Sequence, residues 1–221
     1  MFRNLFRSLA YSTPLHRLLG MGKAKFDRKY WDEKLAGPYR PYLGGTISVD
    51  VRNCVVLSLI ANIAPQARHL LDVGCASGSL YRAPGGSRFS YVGVDISGVA
   101  CDEGQELSPD AEFHASRLED YTPEVPQDVI VLNEVLYYLS ADDARQETKR
   151  LSEHLGENGI LIISMKSNPK SKAIFSKIKL DLQWVNGVLY QEKLTHPEFN
   201  TRKDTKRPAY LIGVFAKRKE S

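Results

Sequence analysis

Short apolar runs recur through the middle of the chain, and a small or polar residue follows most of them. They cover residues 69–73, 91–95, 111–115, 128–132 and 159–165. Runs of this length are too short for a helix and are typical of strands buried on both faces. Because predicted helices separate most of these strands, we expect a mainly parallel sheet with right-handed crossover connections.

Helices are predicted around and between these strands from the apolar pattern and from helix-start and helix-stop residues. They cover residues 48–63, a short stretch after Gly78, residues 97–107 and residues 140–155. The second helix must be short because Pro84 and two glycines follow it. Ser140 and Asp143 resemble a capping pair at the start of the last helix, and Gly156 is its expected stop.

The C-terminal part of the chain has a different pattern. Residues 188–194 and 209–217 are predicted to be two strands with no helix between them. The polar loop that joins them carries four cations, Arg202, Lys203, Lys206 and Arg207. These cations could contact an anionic acceptor, or they could form an ordinary solvated sheet edge.

A run of small residues follows the first predicted strand. The sequence from Asp72 to Gly78 ends an apolar strand, turns through small side chains and leads into a helix. Small side chains let the backbone approach a ligand closely, and the first N–H groups of a helix bind negative groups. The dinucleotide fingerprint G-x-G-x-x-G would need glycine at positions 76 and 79, where this chain has Ala76 and Ser79. We therefore expect a nucleotide-like ligand other than a dinucleotide.

A second acidic residue ends the next predicted strand. Asp95 lies 23 residues after Asp72. In Rossmann-type sites, an acidic residue about 20 residues beyond the glycine-rich turn binds the ribose. Its carboxylate accepts hydrogen bonds from both ribose hydroxyls. The spacing predicts that Asp95 binds a ribose.

Four segments together resemble the class I S-adenosylmethionine-dependent methyltransferases. They are the pattern D-x-G-x-(G/A)-x-G at residues 72–78, the strand that ends at Asp95, the loop at residues 112–120 and the strand-to-loop segment at residues 128–139. The resemblance implies a Rossmann-like, doubly wound α/β fold with a mainly parallel seven-stranded sheet and a C-terminal antiparallel hairpin. It also implies S-adenosyl-L-methionine as the cofactor.

The resemblance assigns the cofactor contacts residue by residue. The backbone at Gly74–Gly78 would hold the methionine end, Asp95 the ribose, and Ile96 and Leu118 the two faces of the adenine. Many relatives have an acid beside the adenine amine, where this chain has Ser116 and Arg117. The complete predicted set is Asp72, Gly74, Cys75, Ala76, Ser77, Gly78, Asp95, Ile96, Ser116, Arg117, Leu118 and Asn133.

Aromatic residues between prolines and glycines precede the first strand. Such segments form loops more readily than helices, and loops on a rigid scaffold often bind ligands. The same rings could instead pack beneath a loop. The candidate acceptor-binding residues are Tyr30, Trp31, Tyr39, Arg40 and Tyr42.

Methyl transfer needs an acceptor with a free lone pair, so a base is a candidate residue. Glu134 is the first choice because it follows the fourth strand, and His114 and Tyr138 are alternatives. Glu134 could equally make a structural or cofactor contact. Residues 133–139 are similar to the bacterial nodulation N-methyltransferases, which methylate an amine of a sugar oligomer. This resemblance implies a small-molecule or glycan acceptor methylated at N or O.

Composition favours one catalytic domain after a short leading segment. The 221 residues are 43% apolar, which is enough for one core. We expect a basic amphipathic segment at residues 1–26 and a methyltransferase domain at residues 27–221. The three cysteines suit a reducing cytoplasm, and the five scattered histidines suggest no metal site. No apolar run approaches the roughly 18 residues that a membrane span needs.

Charge is unevenly distributed along the chain. Residues 1–26 hold five basic residues and no acid, residues 27–165 hold 12 basic and 21 acidic residues, and residues 166–221 hold 13 basic and 5 acidic residues. The leading segment could dock on a membrane surface through residues 1–25, act as a transit peptide or pack on the domain. The basic ends also leave an RNA-associated methyltransferase or RNA-binding protein as the alternative function, and a cofactor-binding regulator as a third.

Overall fold

Seven strands form a single sheet in the computed structural model, which describes residues 27–37, 51–191 and 209–218. In chain order they are β1 His69–Val73, β2 Ser90–Asp95, β3 Glu112–Ala115, β4 Gln127–Asn133, β5 Leu155–Lys166, β6 Gln183–Gln191 and β7 Ala209–Ala216. Their order in the sheet is β3-β2-β1-β4-β5-β7-β6. Strands β1 to β5 are parallel, and β7 runs antiparallel to both of its neighbours. The predicted mainly parallel sheet and its C-terminal hairpin are confirmed.

Helices cover both faces of this sheet. They are α1 Arg28–Ala36, α2 Val51–Ile63, α3 Ser79–Arg82, α4 Gly98–Leu107, α5 Ala141–Glu153 and α6 Pro169–Ile178. Two short 3₁₀ turns lie at Leu118–Asp120 and Leu136–Tyr138. Alternate residues of β4 belong to two separate apolar clusters, one with α2 and α3 and the other with α5 and α6. This arrangement is the doubly wound fold, because side chains of a strand alternate between the two faces.

The end of α5 differs from its prediction. Ser140 caps the helix by accepting the Asp143 N–H, as expected. The helix stops at Glu153, however, and Gly156 lies within β5. Leu155 is buried and pairs with Gln127 of β4, so strand pairing ends the helix before the glycine does.

The sequence pattern missed α6. Asn168 caps this helix by accepting the Ser171 N–H, and Pro169 is its first residue. Both residues are typical of a helix start. Helix α6 ends at Ile178, and β6 then begins at Gln183, five residues before the predicted start at residue 188. Residues 192–194 of the predicted strand lie outside the described residues.

Phe113 of β3 fills space beside three glycines. A Cβ atom at Gly78, Gly93 or Gly104 would lie 2.6, 2.9 or 2.7 Å from atoms of its ring. Contacts of this length between carbon atoms are repulsive. The Phe113 ring therefore packs closely against the loop after β1, strand β2 and helix α4.

The remaining predictions about chain organisation have mixed outcomes. The leading segment at residues 1–26 lies outside the described residues, so the domain division stays a prediction. Cys75 and Cys101 are buried, Cys54 is partly buried, and none of the three is in a disulfide. Within residues 27–37, 51–191 and 209–218, no helix is long and apolar enough to cross a membrane, and no cluster of three metal-binding side chains occurs.

Candidate active site

The loop after β1 has an unusual backbone conformation. Gly74, Ala76 and Gly78 have φ values of 78°, 48° and 80°, all in the left-handed region that favours glycine. The Gly74 N–H donates to the Val94 carbonyl at 2.7 Å, and a Cβ at Gly74 would lie 3.0 Å from the Val135 Cβ. The turn is therefore tight, and it lies at the carboxyl end of the sheet.

Asp95 joins this loop to the start of α4. One carboxylate oxygen accepts the Ala76 N–H and the other accepts the Ser97 N–H, each at 2.9 Å. Burial raises the pKa of Asp95, although these backbone hydrogen bonds oppose the rise. A carboxylate has about four lone-pair positions, so two backbone bonds leave capacity for a diol.

Two buried oxygen atoms near the same loop have no hydrogen-bond partner among the described residues. One is Oδ1 of Asp72, whose Oδ2 accepts the Tyr91 hydroxyl at 2.7 Å. The other is Oδ1 of Asn133, whose Nδ2 donates to Asn53 Oδ1 at 3.0 Å. Burial raises the pKa of Asp72 to about 7, against the opposing effect of the Tyr91 hydrogen bond. Buried acceptors normally have partners, so these atoms suit a ligand that donates hydrogen bonds.

Helix α1 crosses the ends of β2 and β3. Asp32 Oδ1 accepts the Ser97 hydroxyl at 2.5 Å and the Val99 N–H at 3.3 Å, and Arg28 donates to the Ala115 carbonyl at 2.7 Å. These bonds fix α1 over the residues that follow both strands. The centres of the Trp31 and Tyr138 rings are 5.1 Å apart, and the two rings form a T-shaped pair.

The other predicted cofactor residues follow β2 and β3. Ile96 directly follows Asp95, and the Ser116 N–H donates to the Asp95 carbonyl at 2.8 Å. Leu118 is partly buried, whereas Arg117 is exposed and pairs with Glu119 at 2.6 Å. Ile96, Ser116 and Leu118 are thus brought to one end of the sheet, and the Arg117 side chain binds its own loop.

Glu134 directly follows β4 and has a strained backbone. Its φ of 59° is in the left-handed region, where a residue with a Cβ is uncommon. The Glu134 N–H donates to the Ser164 carbonyl at 2.8 Å. Arg52 of α2 lies 3.7 Å from Glu134 Oε1, and its guanidinium lies 5.1 Å from the centre of the Tyr210 ring. This arrangement holds a carboxylate beside a cation at the carboxyl end of the sheet.

Two tyrosines, Tyr137 and Tyr138, lie on the turn that follows Glu134. The centres of the Tyr137 and Tyr138 rings are 4.6 Å apart, and Lys170 donates to the Tyr137 carbonyl at 2.6 Å. Burial and the nearby Glu134 raise the pKa of the Tyr137 hydroxyl, and burial lowers the pKa of Lys170. Both effects favour the neutral forms of these groups.

The structure does not bring all the predicted residues together. His114 lies on the edge strand β3, which is separated from β4 by β2 and β1, and it binds Glu112 at 2.6 Å with its ring against Tyr121. It is remote from Glu134 in the sheet order, whereas Tyr138 lies on the turn that follows Glu134. Tyr30 and Trp31 lie on α1, while Tyr39, Arg40 and Tyr42 fall outside the described residues.

Residues 71–161 match a family model described as a methyltransferase domain. This part of the chain, less than half of its length, is therefore similar to methyltransferase domains. The match includes the left-handed loop, Asp95 and Glu134, but it begins after α2 and ends within β5.

Two curated relatives of this chain are named as methyltransferases of small molecules. The trans-aconitate 2-methyltransferase of Afipia carboxidovorans is 28% identical over 122 residues, which cover 54% of this chain and 47% of that protein. The dTDP-4-amino-2,3,4,6-tetradeoxy-D-glucose N,N-dimethyltransferase of Saccharopolyspora spinosa is 26% identical over 110 residues, or 49% of this chain and 44% of that protein. The chain thus spans about half the length of the curated relatives that it matches.

Solved structures share the fold at low sequence identity. The N-methyltransferase NodS of Bradyrhizobium japonicum, in complex with S-adenosyl-L-homocysteine, has a TM-score of 0.67 and 16% identity, with 87% of this chain and 100% of that chain covered. The magnesium protoporphyrin IX methyltransferase of Synechocystis, with bound S-adenosylmethionine, has a TM-score of 0.58 and 16% identity over 85% of this chain and 94% of that chain.

Sequence patterns did not indicate four residues of the candidate site. They are Arg52, Asn53, Lys170 and Tyr210. The helix with Arg52 and Asn53 was predicted only as a buried apolar segment. Asn53 within this apolar helix could have indicated a polar contact, because a buried amide needs a hydrogen-bond partner.

Proposed function

We propose that this protein is an S-adenosyl-L-methionine-dependent methyltransferase that methylates N or O of a small-molecule or glycan acceptor. The observation that carries the proposal is the group of polar atoms around the left-handed loop. Asp95 holds the loop through Ala76, and buried oxygens of Asp72 and Asn133 lie at the ends of the adjacent strands. This chain therefore has acceptors for both an ammonium group and a ribose at one end of its sheet.

The residues fit the proposed cofactor group by group. The buried oxygens of Asp72 and Asn133 suit the ammonium of its methionine part. The Asp95 carboxylate suits the ribose hydroxyls, while Ile96, Ser116 and Leu118 would surround the adenine. When bound, this cofactor supplies a methyl group that is activated by a positively charged sulfur.

Glu134 is the residue we propose for the acceptor. It follows Asn133 directly in the chain, and the Arg52 guanidinium lies 3.7 Å from its carboxylate. An ionised Glu134 can orient an amine or hydroxyl and accept its proton. The rings of Trp31, Tyr137 and Tyr138 limit access of water to this region and can contact an apolar part of the acceptor.

A nitrogen acceptor is favoured by the combination of a carboxylate and aromatic rings. Carboxylates and the faces of aromatic rings both attract ammonium groups. Two of the similar proteins, the amino-sugar dimethyltransferase and NodS, are named as N-methyltransferases, whereas the trans-aconitate enzyme is named for an acid. We therefore rank amines first among acceptors, then hydroxyl compounds and carboxylic acids.

Two measurements test the proposal in sequence. Isothermal titration calorimetry of the full chain with S-adenosylmethionine is expected to show one site per chain. A product assay with that cofactor across amine, hydroxyl and carboxylate compounds, including amino sugars, is expected to give methylation of an amine. Absence of binding would contradict the cofactor assignment, and binding without methylation of any acceptor would favour a regulator.

RNA is tested in the same series. Binding of RNA that weakens steeply with salt, together with methylated RNA as the product, would support the RNA-associated alternative. Weak binding with a flat salt dependence would contradict it.

A further inference from the structure

A buried amide on α2 connects the loop after β1 to the end of β4. Asn53 is only 1% exposed. Its Nδ2 donates to the Ser79 hydroxyl at 3.0 Å, and its Oδ1 accepts from Asn133 Nδ2 at 3.0 Å. Ser79 directly follows Gly78 and begins α3. One side chain thus contacts both segments that we propose to hold the cofactor.

The bond to Asn53 determines how the Asn133 amide is oriented. Because the nitrogen of Asn133 is held by Asn53, the oxygen of the same planar group must point away from α2. That oxygen is the buried atom without a partner among the described residues. Asn53 therefore fixes the direction of an acceptor atom that it does not itself supply.

We propose that Asn53 is a positioning residue for the cofactor, acting through Asn133 and Ser79. This inference rests on the proposed function and adds a residue that lies outside the part matched by the family model, residues 71–161. Without the Asn53 amide, the Asn133 side chain loses the hydrogen bond that orients its oxygen. Ser79 at the start of α3 loses its hydrogen bond to α2. The expected consequence is weaker binding of S-adenosylmethionine, because a contact that is not held in place costs entropy on binding.

The test is a calorimetric titration of purified full-length variants with S-adenosylmethionine. Asn53→Leu keeps a similar volume and removes both hydrogen bonds, and we expect its Kd to rise about tenfold or more. Asn53→Asp keeps an oxygen for Asn133 and can accept the Ser79 hydroxyl, so its Kd should stay within about threefold of the wild type. If Asn53→Leu does not fold, Asn53→Ser replaces it, because serine is too short to reach both partners.

A control separates positioning from loss of stability. Val56→Ala removes buried apolar atoms from the same helix. It leaves the hydrogen bonds of Asn53 to Ser79 and Asn133 in place. Its melting temperature should fall, while its Kd for S-adenosylmethionine stays within about twofold of the wild type. If Val56→Ala weakens binding as much as Asn53→Leu does, Asn53 has only a structural role and the inference is wrong.

A double-mutant cycle tests the route through Asn133. In an Asn133→Ala background, Asn53→Leu should raise the Kd by less than about threefold, since the Asn133 oxygen is already gone and only the contact with Ser79 remains to be lost. A full tenfold rise in that background would overturn the inference. Failure of the wild-type chain to bind would instead reject the proposed function itself, and this inference with it.

Discussion

The two sides of the proposed site are built in different ways. On the cofactor side, at the ends of β1 and β2, the loop is held by backbone N–H groups and by Asp95, all within residues 72–97. On the acceptor side, at the ends of β4 and β5, side chains come from distant segments: Arg52 from α2, Lys170 from α6 and Tyr210 from β7. The first side depends mainly on local sequence, with the pair Asn53 and Asn133 as its long-range part, and the second depends on tertiary packing.

This difference matters for specificity. A backbone-held loop has a geometry that changes little when side chains are substituted, which suits a constant ligand. Side chains gathered from several elements can be exchanged singly without refolding the sheet. We therefore expect substitutions on the two sides to separate cofactor affinity from turnover.

Glu134→Gln should have the largest effect and should act on turnover alone. Loss of a general base lowers rates by about 100-fold or more. Since Glu134 lies on the acceptor side, the Kd for S-adenosylmethionine should stay within about twofold of the wild type. Single-turnover kinetics with the amine identified in the product assay, combined with calorimetry, measures both values. An equal loss of cofactor affinity would erase the distinction between the two sides.

Asp95→Ala should have the next largest effect and should act on cofactor affinity. It removes an ionised acceptor of two backbone N–H groups and the proposed ribose contact, so we expect the Kd to rise about 10- to 100-fold. Asp128→Ala is the matched control, because Asp128 also accepts two backbone N–H groups, those of Arg68 and His69, at the opposite end of the sheet. The control should lower stability and leave the Kd unchanged. Equal affinities for Asp95→Ala and the wild type would refute the ribose assignment.

Asp72→Asn should change how stability depends on pH. The pKa of Asp72 is raised from 3.8 to about 7 in the folded protein, so the folded state holds this proton more strongly than the unfolded chain does. Stability should therefore fall as the pH rises from about 4 to about 7, and the loss should be complete above that range. Asparagine keeps an acceptor for Tyr91 and cannot ionise. Urea unfolding at about pH 5 and about pH 8 should show a smaller decline for Asp72→Asn than for the wild type. An unchanged decline would mean that Asp95, whose pKa is also raised, causes it.

His114→Ala should have the smallest effect. This histidine is on the edge strand and binds an exposed Glu112, and exposed ion pairs contribute about 1 kcal/mol or less. We expect turnover to change by less than about twofold. A loss comparable to that of Glu134→Gln would restore His114 as a candidate base.

The parts of this molecule that sequence could predict are those with local causes. The tight turn between β1 and α3 was predicted from its small residues, and the cap at Ser140 from two residues, because each depends on its neighbours in the chain. Gly156 was a wrong helix stop because pairing between β4 and β5 took precedence. The start of β6 was missed because α6 was missed, although Asn168 and Pro169 carried the signal.

The residues that sequence could not predict are joined across long separations. Asn53 and Asn133 are 80 positions apart, and the position of Tyr210 beside Arg52 depends on the insertion of β7 between β5 and β6. No local pattern specifies such pairs, because they form only when the sheet order brings their elements together.

The packing of Phe113 makes three distant glycines depend on one another. A methyl group at position 104 fits only beside a smaller residue at position 113, and one at position 93 also needs the Cys75 sulfur, 2.8 Å away, to move. Position 78 has the further restriction that its φ of 80° favours glycine. These four positions should therefore covary among homologous chains: a homologue with alanine at 93 or 104 should carry a smaller side chain at 113, and the ring should persist wherever all three glycines do.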